Sequence, residues 1–175
     1  GFEPTTEELS EAFTGWNEGR LNSYLIEITA NILKFKDKQG DYLIDKILDT
    51  AGQKGTGKWS VINAMELGMP LGLIASAVFE RSLSSNKEVR LEAERIFGHD
   101  KEQGLYNKAD MLKDVESALY ASKLVSYAQG FDVLQKASEE FDWNLNLASI
   151  ARLWRGGCII RSGFLNDIAD AFEAK

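Results

Sequence analysis

DMLKDVESALYASKLVSYAQGFDVLQKASEEF, residues Asp110–Phe141, runs without a proline and with a single glycine, Gly130. Leu112, Val115, Leu119, Ser122 and Ser126 recur three or four residues apart, and Phe131 and Leu134 resume the stripe. That spacing puts them on one face of a helix, and the run is too long for a strand. A single long helix is predicted, with Gly130 as the place where it would bend. A fold organised around such a helix is all-α.

The flanking sequence agrees. Thr5 and Glu8 form a capping-box pattern that opens a helix through about Glu18, with Leu9, Ala12, Phe13 and Trp16 on one face. Leu21–Phe35 is apolar nearly all round, a pattern expected deep inside a bundle. Tyr42–Thr50 reads as a short helix and Trp59–Leu67 as another, ended by Gly68 and Pro70. The next begins near Pro70 and runs to about Leu83. Ser84 and Ser85 are expected to cap a helix over Lys87–Phe97, and 98–107 reads as a polar loop. Leu145–Trp154 and Ile159–Phe172 complete the set, separated by Arg155-Gly156-Gly157. No segment alternates as a strand would. Residues 1–175 are expected to form a single helical domain, a multi-helix bundle around the long helix. Ala169-Asp170-Ala171-Phe172 is a helix still in progress near Lys175, and both ends read as cuts.

Composition narrows the function. Apolar residues make up 44% and charged residues 27%, too apolar for a disordered chain. The net charge of −7 opposes nucleic-acid binding as a whole. One cysteine, Cys158, permits no internal disulfide, and Met69–Phe79, the longest mostly apolar run, is too short to span a bilayer. A reducing, cytoplasm-like compartment follows by default. No nucleic-acid or membrane partner is expected, and no metal site.

Ala51-Gly52-Gln53-Lys54-Gly55-Thr56-Gly57-Lys58 is the stretch that carries chemistry. Glycines in a helix cost about 1 kcal/mol each relative to alanine, so this is a loop. Gly52-x-x-x-x-Gly57-Lys58 imitates a nucleotide P-loop, but Trp59 stands where the Mg²⁺-binding Ser or Thr belongs, and no strand precedes it. Exposed backbone N–H groups, the start of a helix, and donors on Lys54, Thr56 and Lys58 suit a phosphate or carboxylate. A plain inter-helix loop with glycines for tight packing accounts for the same residues. Elsewhere, His99 reads as a surface histidine and Cys158 as a buried thiol beside Ile159 and Ile160. Arg81 needs water, a carboxylate or a ligand for its charge, and Arg152, Arg155 and Arg161 suit a surface or an interface. Trp16, Trp59, Trp143 and Trp154 are expected in the core.

Ser23–Thr29 (SYLIEIT), Ala51–Trp59 (AGQKGTGKW), Ala77–Arg81 (AVFER), Ala118–Phe131 (ALYASKLVSYAQGF) and Trp154–Arg161 (WRGGCIIR) together closely resemble the 6-phosphogluconate dehydrogenase family, in order along the whole chain. The resemblance implies a decarboxylating oxidoreductase of the pentose phosphate pathway, a cytoplasmic homodimer. Its reaction oxidises a hydroxyl of 6-phosphogluconate with NADP⁺ as hydride acceptor, then loses CO₂ to give ribulose 5-phosphate. It also implies parts that these residues do not contain: a G-x-G-x-x-G dinucleotide-binding domain, the helix bearing the catalytic Lys and Glu, and a C-terminal tail with a ligand-contacting Arg and His. The chain thus resembles the middle of the family's helical domain, its substrate-binding and dimer-forming part. It is expected to be inactive alone, with no catalytic residue of its own and no NADP binding of its own. By position, Lys54 and Thr56 match the family's substrate-contacting loop, and Arg81 matches the arginine that closes the Ala-Val-Phe-x-Arg block. Glu80 departs from the small residue common there. A stand-alone helical interaction module of the same ancestry, using the long helix to bind partners, is the rival reading.

Overall fold

The computed structural model describes residues 4–98 and 107–174, and His99 with most of the expected 98–107 loop lies outside them. The chain is all-α. Helices α1 (Thr6–Glu18), α2 (Tyr24–Lys34), α3 (Thr56–Glu66), α4 (Gly72–Ser85), α5 (Lys87–Phe97), α6 (Lys108–Glu140), α7 (Leu147–Leu153) and α8 (Leu165–Glu173) are joined by loops and one 3-10 turn, Leu43–Lys46. No strand occurs among the described residues, only two isolated bridges, Ser23 with Ser162 and Lys36 with Tyr42. The contacts gather into two compact units.

The first unit comprises Gly1–Ile47, Gly104–Ala121 and Asn146–Lys175. Helix α1 starts where the capping box places it. The Thr5 hydroxyl accepts the Glu8 N–H at 3.2 Å, and the Glu8 carboxylate accepts the Thr5 N–H at 2.8 Å. Trp16, Leu21 and Ile26 form the core, with Ala12, Phe13 and the α6 residues Leu112, Leu119 and Tyr120 packed against it. Helix α2 begins three residues later than the apolar run suggests. Ser23 has extended backbone and its hydroxyl accepts the Ile26 N–H at 3.4 Å, while Leu21 is fully buried just ahead of the helix. The expected burial all round α2 does not hold. Ile26 and Ala30 are buried, but Leu25, Ile32 and Phe35 are exposed, because α1 covers one side only.

The expected helix over Tyr42–Thr50 shrinks to the 3-10 turn. Asp37 accounts for this, since its carboxylate accepts the N–H groups of Gln39 and Asp41 at 2.9 and 3.1 Å and also pairs with Lys46. Helix α8 starts at Leu165 rather than Ile159. The intervening residues return to the start of α2, where Tyr24 N–H donates to the Arg161 carbonyl at 3.0 Å and Gly163 N–H to that of Asn22 at 2.9 Å. Helices α7 and α8 pack through buried Ala148, Ala151, Leu165 and Ala169, and Arg152 pairs with Asp170 and Glu173 across them.

The second unit comprises Leu48–Gln103 and Ser122–Leu145. Gly68 ends α3 with φ +67°, a conformation that favours glycine, and Pro70 follows. Helix α6 continues through Gly130 without interruption, burying Phe131 of the expected stripe and also Ala137. Val115 and Ser122, also on that stripe, are exposed. Helix α5 spans the expected residues, but its N-cap is Asn86. Ser84 and Ser85 belong to α4, and their hydroxyls are already committed: Ser85 donates to the Ser82 carbonyl at 2.7 Å and Ser84 accepts the Ala51 N–H at 3.2 Å. Of the four tryptophans only Trp16 is buried; Trp59 and Trp143 are 59% and 57% exposed, and Trp154 is half-buried. Cys158, expected to be buried, is half-exposed on the segment before α8.

Glu8 links α1 to α6, because the Lys108 ammonium donates to both of its oxygens at 2.8 and 2.9 Å. This bond, more than the one from Thr5, holds the Glu8 carboxyl below its ordinary value of 4.5. A carboxyl lowered in the folded state stabilises the fold above its unfolded pKa, and that contribution is lost as pH falls through the folded value. In Lys108→Met, the Glu8 side-chain carbon should therefore titrate at higher pH in an NMR experiment than in the unsubstituted chain. An unchanged midpoint would mean that the capping box alone sets it.

Candidate functional site

Lys54, Thr56 and Arg81 all lie in the second unit. The loop leading to them passes from the 3-10 turn into irregular backbone, with no strand ahead of it as a P-loop requires. Gly55 is the N-cap of α3 with φ +104° and ψ −21°, and no side chain caps the helix. That left-handed conformation is cheap only for glycine. Thr56 is the first helical residue, and Trp59 N–H makes the bond back to the Gly55 carbonyl at 2.9 Å. The N–H groups of Thr56, Gly57 and Lys58 precede it in the first turn, where helix geometry gives amides no intrahelical partner. No acidic residue sits in that turn. The end of α3 thus keeps its partial positive charge uncompensated.

Helix α4 lies beside this end. A Cβ on Gly57 would come within 2.8 Å of a Val78 methyl, so the absence of a side chain there is what lets α3 and α4 approach. One turn after Val78, Arg81 donates to the Gly52 carbonyl. The Gln53 side-chain amide donates to the Ser82 hydroxyl at 3.3 Å, and Ala51 N–H donates to that of Ser84. Three successive loop residues are therefore fastened to α4. Lys54 follows them, exposed and without an ion pair or hydrogen bond among the described residues, as is the Thr56 side chain. Glu80 is exposed and forms no ion pair with Arg81, so the departure noted in the sequence does not divert that guanidinium. The carbonyl of Gly52 holds it instead.

Lysine, hydroxyl and backbone donors gathered at a helix N-terminus suit an oxyanion: a carboxylate or a phosphate. Sequence reasoning singles out Lys54, Thr56 and Arg81 but does not reveal the fastening of the loop. Ser82, Ser84 and Val78 carry no signal of their own, since they meet the loop only through the packing of α4. No group of three or more acidic, His or Cys side chains suited to a metal occurs among the described residues. No described helix is long and apolar enough to cross a membrane.

The class so defined is a helical domain with an anion-suited loop at a helix start. Comparison with known proteins carries this to a family. Residues 1–175 match the family described as 6-phosphogluconate dehydrogenase, C-terminal domain. The decarboxylating 6-phosphogluconate dehydrogenase of Rattus norvegicus is 58% identical over 168 residues, and that of Homo sapiens 55% over 168. Each match covers 95% of this chain and 35% of the relative, so the chain spans about a third of the length of the curated relatives it matches. A structure of the Plasmodium falciparum enzyme, described in its apo form, with its cofactor NADP⁺ and with its substrate 6-phosphogluconate, aligns with a TM-score of 0.91 at 48% identity, over 98% of this chain and 38% of that one. The chain belongs to the 6-phosphogluconate dehydrogenase family and corresponds to its C-terminal domain.

The Gly57–Val78 contact has a measurable consequence. Gly57→Ala should destabilise the chain by about 1–3 kcal/mol in urea unfolding, as overpacking does. Gly130→Ala, in a helix and with nothing within 4 Å of the new methyl, should instead stabilise it by about 0.5–1 kcal/mol. The same sign for both substitutions would show that the α3–α4 approach is slack.

Proposed function

We propose that this chain is the substrate-binding and dimer-forming helical part of an NADP-dependent, decarboxylating 6-phosphogluconate dehydrogenase. On this reading Lys54, Thr56 and Arg81 hold the phosphate of 6-phosphogluconate. The observation that carries it is the fastening of Ala51, Gly52 and Gln53 onto α4, which brings Arg81 to the loop that presents Lys54 and Thr56. The family membership and the ligands in the description of the Plasmodium enzyme supply the chemistry. Lys54 contributes a point charge, Thr56 a neutral hydrogen bond, and Arg81 a charge that leaves the Gly52 carbonyl or bridges it to the ligand. A phosphate held remote from the reacting carbon orients that carbon, so its binding energy lowers the barrier without entering the chemistry.

The residues present do not fit a dinucleotide. The glycine loop follows a 3-10 turn, and no strand among the described residues is available to form the crevice where such a cofactor lies. On this reading NADP and the catalytic pair lie outside residues 1–175, NADP in a dinucleotide-binding domain and the pair on another helix, and 1–175 are part of a single helical domain. Exposed apolar side chains support association with a second copy. Trp59, Ile62 and Met65 form a stripe along α3, with Met65 76% exposed, and α5 leaves Ile96 and Phe97 open. Isolated, the chain should sediment as a dimer or larger and form no NADPH from 6-phosphogluconate and NADP⁺. A clean monomer would count against the first half, NADPH formation against the second.

The phosphate assignment is tested by titrating the chain with 6-phosphogluconate and with gluconate. Lys54→Ala and Arg81→Ala should each cost about 1.5–3 kcal/mol of 6-phosphogluconate affinity, and Thr56→Ala about 0.5–1.5 kcal/mol. Gluconate should bind weakly and respond to none of them. Equal losses for both ligands would mean that the three residues shape the fold, and the clamp would have to be abandoned.

A further inference from the structure

Just before the glycine loop, one arginine holds the chain at three points. Arg90, in the first turn of α5, donates from Nη1 to the Asp49 carboxylate at 3.1 Å and from Nη2 to the Asp49 carbonyl at 2.6 Å. The same Nη2 donates to the Ser84 carbonyl at 3.2 Å. Its Nε is buried without a partner, while the side chain as a whole is partly exposed and the Asp49 carboxylate largely so. The Arg90 guanidinium, more than Lys87, holds the Asp49 carboxyl below its usual range. Ser84 is the joint. Its carbonyl is gripped by Arg90, and its hydroxyl accepts the Ala51 N–H at 3.2 Å. From Asp49 onward the anchors skip only Thr50 before the first free donor: Asp49 and Ala51 through Arg90 and Ser84, Gly52 through Arg81, Gln53 through Ser82.

We infer that Arg90 is a positioning residue for the phosphate loop, acting through Asp49 and Ser84 to set where Lys54 and Thr56 stand; this rests on the clamp reading above. A flexible loop would bind phosphate too, but it would lose conformational freedom on doing so. A loop held in place beforehand avoids that cost. The planar fork matters because a lysine at 90 carries its three donors on one nitrogen and cannot reproduce the separate placement of Nη1 and Nη2. Arg90 itself has no place at the ligand, since all its paired nitrogens face protein oxygens.

The test uses the full 175-residue chain, with 6-phosphogluconate and inorganic phosphate as probes. Arg90→Lys should weaken both by about tenfold, the scale of losing one or two hydrogen bonds. Ser84→Ala should weaken them by about three- to tenfold, while Ser84→Thr, which keeps the hydroxyl, should stay within about twofold. Amide exchange at Ala51 should accelerate in Arg90→Lys and Ser84→Ala but not in Ser84→Thr. If Arg90→Lys fails to fold, the Ser84 pair decides alone, since a purely structural serine would show no link between hydroxyl and phosphate affinity. If the unsubstituted chain binds and Arg90→Lys or Ser84→Ala binds as tightly, the positioning role is overturned and the clamp stands. If the unsubstituted chain binds neither probe, the clamp reading fails and this inference falls with it.

Discussion

A single missing side chain governs the site. Because Gly57 has no Cβ, Val78 can approach the first turn of α3 to within a distance no methyl would tolerate. The α3–α4 packing follows from that approach, and with it the arrival of Arg81, Ser82 and Ser84 alongside the loop. Gly55 serves a different end. Its left-handed backbone turns the chain into α3 and leaves the first-turn amides pointing outward without a capping side chain. One glycine admits a neighbour, and the other opens a helix end. Their conjunction makes an anion-suited surface out of residues that separately mean little.

The polar bonds around this loop differ from surface ion pairs elsewhere in the chain. Arg95 with Glu92 and Lys136 with Glu140 are exposed pairs within single helices, where solvent screening leaves little net attraction. Arg81, Arg90 and Ser84 join segments far apart in sequence and address backbone atoms of the loop, and Ser82 accepts its Gln53 side-chain amide. Their value lies in restricting where Lys54 can go, more than in raw stability. A binding loop drawn from irregular backbone needs such restraint, since its own hydrogen bonds are few.

The exposed apolar surface is the other organising feature. In the first unit, α2 buries one face and leaves Leu25 and Ile32 open. In the second, the stripe on α3 and the end of α5 are uncovered. No other element among the described residues covers these faces, and the chain spans about a third of the length of the curated relatives it matches. Helices with apolar residues all round are read correctly as interior elements only when their surroundings are complete.

The sequence alone determined the helical class, the span of α5, the capped start of α1 and the glycine stop after α3, because caps and periodicity act within a few residues. It also determined the three candidate donors, since the loop is marked by its glycines and the family by its blocks. Tertiary structure decided the rest. Helix α8 could not be started correctly from Ile159, because residues 159–164 are drawn into pairing with Asn22 and Tyr24, over a hundred positions earlier. The short helix after Tyr42 gave way to the Asp37 turn. Trp59 and Trp143 looked like core by their apolar neighbours, and whether a helix face is covered is settled only by what packs against it. Most of all, nothing local joins Asp49 to Arg90. Their pairing spans 41 positions and exists because α4 returns the chain to the loop, a geometric fact that no window of sequence encodes.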